Sequence, residues 1–124
     1  MKHAIAAIAT AALLAAVPAR AELRASAPYE TKLTCAIYNA LLIAVYDGEG
    51  EDEAVRKQAE EDGERWSELL VADAGGDEEK AMADVKARLD AVMAEMGSAS
   101  QDEQMSLLFR KLEQMHDLCE PYET

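Results

Sequence analysis

The chain has 124 residues, half of them apolar, and sets 25 acidic side chains against 12 basic ones for a formal net charge of −13. That length supplies one domain and excludes a two-domain enzyme, while the negative charge repels nucleic acid and anionic lipid head groups. A partner selected by charge is therefore cationic: a basic protein, a polyamine, a cationic peptide or a divalent metal.

Met1, Lys2 and His3 lead into a run of small and apolar residues from Ala4 to Val17, then Pro18-Ala19-Arg20-Ala21, an A-x-A pattern before Glu22. This predicts a signal peptide over residues 1–21 and a mature domain over 22–124, located in the periplasm or secreted. The run is shorter than the roughly 20 residues a membrane span needs, so no stable membrane anchor is expected. Cleavage would remove Lys2 and Arg20 but no acidic residue, moving the net charge from −13 to −15.

Beyond Pro28 the pattern is helical, with no strand-like alternation of β-branched and aromatic residues. Four helices are predicted, over 29–46, 51–72, 77–96 and 100–119. The first starts after Pro28, a residue suited to a first helical turn, and stops at Asp47-Gly48-Glu49-Gly50. Leu33, Ile37, Ala40, Leu41 and Ala44 form its inner stripe, and Cys35, Tyr38, Leu42 and Val45 widen it, so this helix should be the most buried. The second carries Val55, Ala59, Trp66, Leu69 and Leu70 on a charged background. Its seam position between Ala59 and Trp66 falls on Asp62 or Gly63, which predicts a poorly packed turn or a carboxylate near the core.

Ala74-Gly75-Gly76 separates the second helix from the third, and Asp77-Glu78-Glu79 places acid at the positive end of the third. Met82, Val85, Leu89, Val92 and Met96 then recur at the 3-4-3-4 spacing of a bundle seam. The fourth helix opens with Ser100-Gln101-Asp102-Glu103, a capping box, and repeats the spacing at Met105, Leu108, Leu112, Met115 and Cys119. Pro121 is expected to stop it.

Short connections between consecutive helices predict an all-α fold, an antiparallel up-down four-helix bundle. The two cysteines, Cys35 and Cys119, test this arrangement. With four helices the start of the first and the end of the last share one end of the bundle, within the roughly 4.4–6.8 Å Cα separation that a disulfide needs. One disulfide joining the first and last helices is therefore expected in an oxidising compartment.

Catalysis has little support. His116 is the one histidine of the mature chain, its neighbour Asp117 points about 100° away on a helix, and no nucleophile or phosphate-loop motif occurs. No enzyme activity and no catalytic residue are predicted, and no cofactor is expected. His116 and Cys119 share a helical face near Cys35, so His116, Cys35 and Cys119 are the candidates for a metal. No metal is favoured, because exported thiols this close oxidise and the C-x-x-C spacing of a strong zinc site is absent. Covalent haem needs C-x-x-C-H, which is missing, leaving only His116 with a methionine as haem ligands. The acidic loop Asp47–Glu53 fails the EF-hand template, since Gln58 stands where the twelfth-position glutamate belongs. Tyr29 and Tyr122 flank the expected disulfide end and are the candidates for a partner-binding rim.

These residues describe a small exported, strongly acidic helical protein that binds another, unidentified and cationic, protein without catalysis, as an inhibitor, adaptor or periplasmic stress chaperone. The alternative is a metal or haem carrier of helical-bundle type using His116. Nucleic acid is excluded as a partner by charge, and a homodimer would bury an apolar face. In the chaperone version, neutralising most carboxylates below about pH 4 loosens the bundle and exposes its Met- and Leu-rich seams.

Overall fold

Pro28, with φ near −57° and no N–H to satisfy, opens the most apolar of the helices from residue 29 onward, and that helix is the one around which the others assemble. The computed structural model describes residues 20–46, 50 and 52–123. α1 is described over residues 20–26, and α2 spans Tyr29–Val45, α3 Asp52–Asp73, α4 Glu78–Gly97 and α5 Gln101–Glu123, with no strand among the described residues. The all-helical expectation holds, and among the described residues the helix count is corrected from four to five. The sequence pattern assigns no element to residues 20–26. This segment is tied down at a distance, with Arg24 Nη1 donating to the Tyr122 carbonyl at 2.9 Å. The expected signal peptide lies outside the described residues except for 20 and 21, and so does most of the acidic loop, at 47–49 and 51.

Local chemistry sets the breaks. Gly75 and Gly76 adopt φ of 71° and 89°, conformations that cost a side chain free energy, and Gly76 N–H donates to the Val71 carbonyl at 2.9 Å to close α3. Asp77 Oδ1 accepts from Lys80 N–H at 3.1 Å, capping α4. At α5, Ser100 Oγ accepts from Glu103 N–H at 3.4 Å and its carbonyl accepts from Gln104 N–H at 2.9 Å.

Pro121 does not stop α5, which continues to Glu123. Tertiary contacts account for the difference. The Tyr122 ring packs edge-on against Trp66 with centroids 5.7 Å apart, its carbonyl takes the bond from Arg24, and Glu123 accepts from two buried donors. A proline in the last turn forfeits one backbone bond, and these anchors outweigh that loss.

Long-range pairs fix the direction of the helices. Lys32 pairs with Asp73 at 2.7 Å and the Tyr46 carbonyl accepts from Arg56 at 3.2 Å, so α2 and α3 are antiparallel. Cys35 is bonded to Cys119 with a Cα separation of 5.6 Å, inside the expected window. Tyr38 meets His116 at 3.1 Å, so α5 also runs against α2. Tyr29 with Asp84 and Glu30 with Arg88 seat the start of α2 on α4, and Lys111 with Glu95 at 2.7 Å joins α4 to α5.

α2 lies at the centre. Leu33, Cys35, Ala36, Ile37, Tyr38 and Leu41 are buried among Trp66 and Leu70 of α3, Ala81 and Val92 of α4, and Leu112 and Cys119 of α5. Three polar residues join this core: Lys32, Asn39 and Asp62. Asp62 thus realises the expected carboxylate near the core, accepting from Arg65 Nη1 at 2.8 Å and from Gln58 Nε2 at 3.2 Å. The seams of α4 and α5 are buried less than their spacing implies. Val92, Leu112 and Cys119 are enclosed, whereas Met82, Met105 and Val55 are exposed and Ala44 faces solvent. Met105 is exposed because α2 ends at Val45, seven residues past the Tyr38–His116 contact, while Met105 lies eleven residues before it on α5.

Candidate functional site

The sequence places a polar residue, Asn39, in the middle of the most apolar helix, and opposite it a glycine, Gly63. A Cβ at Gly63 would lie 3.4 Å from Asn39 Cβ, so the glycine lets α3 approach α2 closely at this level. Asn39 Nδ2 donates to the Cys35 carbonyl one turn back at 2.9 Å and to Glu123 Oε1 at 2.8 Å. Trp66 Nε1 donates to the same Glu123 oxygen at 2.9 Å. The last turn of α5 is thereby fastened to both α2 and α3.

Beside this junction a cleft of about 500 Å³ opens between α2, α3 and α5. Its walls are mostly apolar, built from Leu42, Ala54, Val55 and Ala59, and Tyr38, Asn39, Gln58, Asp62, His116 and Glu123 supply the polar groups. Burial pushes the Glu123 carboxyl above its ordinary range; the bonds from Asn39 and Trp66 pull it down, nearby Asp62 pushes it up, and His116 pulls it down. Burial likewise raises the Tyr38 hydroxyl, followed by the charges of Glu123, Tyr46 and Glu120. Tyr38 therefore stays a neutral phenol at neutral pH, a hydrogen-bonding group rather than a nucleophile.

His116 lies between two partners, its Nδ1 3.1 Å from the Tyr38 hydroxyl and its Nε2 3.5 Å from Glu120 Oε2. Its carboxylate partner is thus Glu120, one turn ahead, and not Asp117. Of the three metal candidates His116, Cys35 and Cys119, the two cysteines are joined to each other in the disulfide. Among the described residues no three His, Cys, Asp or Glu side chains come together as a metal-ligand set.

Tyr29 and Tyr122, the candidates for a partner-binding rim, are both half-buried. The Tyr29 hydroxyl donates to Asp84 Oδ2, and that bond, ahead of burial and neighbouring acids, holds its pKa up at about 12. Tyr122 packs on Trp66.

Glu123 and Asn39, which organise the cleft, were missed by pattern. The available signal was the isolated Asn39 within an apolar helix, facing nothing polar in its own neighbourhood of sequence.

A second feature lies at the far end of the α4–α5 hairpin. Met93, Met105 and Phe109 are 52%, 56% and 55% exposed, and Met93, Met96, Gly97, Gln104, Met105 and Leu108 line a groove of about 210 Å³. No helix among the described residues is long and apolar enough to cross a membrane. No family model, curated protein or solved structure matches this chain.

Proposed function

We propose that the chain is an exported, non-enzymatic protein whose mature domain, left after removal of residues 1–21, folds α2 to α5 as an up-down bundle and binds a cationic amphipathic segment of another protein. The observation that carries this reading is the groove at the hairpin tip, where Met93 and Met105 are more than half exposed, with the exposed Phe109 one turn beyond Met105 on α5. Large apolar side chains gathered at one exposed place mark interaction surfaces, and methionine adapts its shape to varied partners. The acidic residues around the tip, among them Asp90, Asp102 and Glu103, and the net charge of −13 select a basic partner for it. The disulfide and the export motif are consistent with a life outside the reducing cytoplasm. Inhibitor, adaptor and chaperone are three uses of one such surface.

Titration with a helical Leu/Lys repeat peptide tests the reading, with a Leu/Glu repeat as control. Phe109→Asp, at an exposed position, should weaken binding of the basic peptide at least tenfold without shifting the melting temperature, and the acidic peptide should not bind. Equal binding by the native and Phe109→Asp proteins would remove the hairpin tip as the site. A dimer that Phe109→Asp dissolves would assign the tip to a second copy of the chain.

A further inference from the structure

Glu123 forms no ion pair among the described residues, His116 of the same cleft acting on it only at longer range. Its two hydrogen-bond donors, an amide and an indole, are neutral, and both converge on Oε1. Asp62, in the same cleft, is already met by Arg65. A carboxylate drawn partly out of water beside a second carboxylate is costly without a cation, and this one borders a cleft with apolar walls. We propose that the cleft between α2, α3 and α5 binds an alkylammonium group, its charge against Glu123 and its methylenes against Leu42, Val55 and Ala59. The group is either a small aliphatic amine or the side chain of a lysine. This site is separate from the hairpin tip and does not depend on the reading given for it.

Binding has an internal reporter. The chain contains one tryptophan, Trp66, whose indole N–H rests on Glu123. Titrating the full mature chain with pentylamine in 150 mM salt should give a saturable change in Trp66 fluorescence, and 1-pentanol of the same length should give none. Glu123→Gln keeps an oxygen to accept from Asn39 and Trp66, and it should weaken pentylamine binding at least tenfold. Glu78→Gln, an exposed acid on α4 remote from the cleft, should leave binding unchanged. Should Glu123→Gln lose its fold, Val55→Phe at the cleft mouth serves instead and should abolish the titration. An N-acetyl-lysine amide that titrates like pentylamine assigns the site to lysine side chains, and one that does not assigns it to free amines. A matching curve with 1-pentanol, no saturation up to tens of millimolar, or equal binding by Glu123→Gln and the native chain would each overturn the proposal.

Discussion

At Glu123 the direction of the pKa displacement dictates the direction of the response to acid. Its carboxyl sits above the ordinary range in the folded chain, chiefly through burial, so the folded state binds the proton more tightly than the unfolded state does. Its contribution to stability therefore grows as pH falls through the raised value and levels off below the ordinary carboxyl range. The charged and titratable groups around it, Asp62 and Arg65 on α3, Tyr38 on α2, and His116 and Glu120 on α5, modulate the size of this effect. As pH falls toward the ordinary carboxyl range, the urea midpoint of the native chain should rise relative to that of Glu123→Gln; a difference that stays flat or moves the other way contradicts the assignment. Glu123 thus opposes the acid loosening expected from charge reversal alone. Burial of Lys32, Asn39 and Asp62 was only partly legible in the sequence, because a polar residue on an apolar stripe reads as a break until its partner is known. Asn39 meets Glu123 across 84 residues, and Glu123 follows a proline that announces the end of a helix.

Helix boundaries were legible to within a residue for α2, α3 and α4, since glycine, proline and capping side chains act locally and leave their marks locally. α5 departs from that pattern because its last turn is held by distant contacts rather than by its own sequence. The turn at Asp62 and Gly63, which pattern alone reads as poorly packed or as holding a carboxylate near the core, is a close helix approach with its carboxylate fully partnered. Gly63 is helical and its prospective Cβ stands at ordinary contact from Asn39. Gly63→Ala should consequently stabilise the protein by about 0.5–1 kcal/mol through helix propensity, whereas Gly63→Leu should cost about 1–3 kcal/mol by forcing α3 away from α2. Chemical denaturation of the two variants checks both signs, and destabilisation by alanine would mean that the Asn39 side chain cannot yield. The seams of α4 and α5 were legible as faces but not as degrees of burial, because periodicity records which side of a helix is apolar and not how far the facing helix extends.

Across the whole molecule, the pairing of Cys35 with Cys119 followed from counting helices and compartment chemistry, and it holds although the helix count among the described residues rose to five. α1 precedes the first cysteine, so it leaves the geometry of the bonded ends unchanged. The cysteines are separated by 84 residues, and a cross-link of that span removes about 4.5 kcal/mol of unfolded-state freedom in the chain-entropy model. Replacing both cysteines with alanine should lower the unfolding free energy by about 4 kcal/mol, measured by urea titration; a loss below about 1 kcal/mol would place the stability in the core alone. The same bond changes the topology of the chain. From Cys35 through α3 and α4 to Cys119 the covalent path is a closed ring, with the exposed Gly75-Gly76 turn on its perimeter. One proteolytic cut there opens the ring without producing two molecules, so the nicked protein should migrate as a single species until a reductant is added. The new ends would leave from the turn between α3 and α4, making that turn the natural position at which to permute the chain.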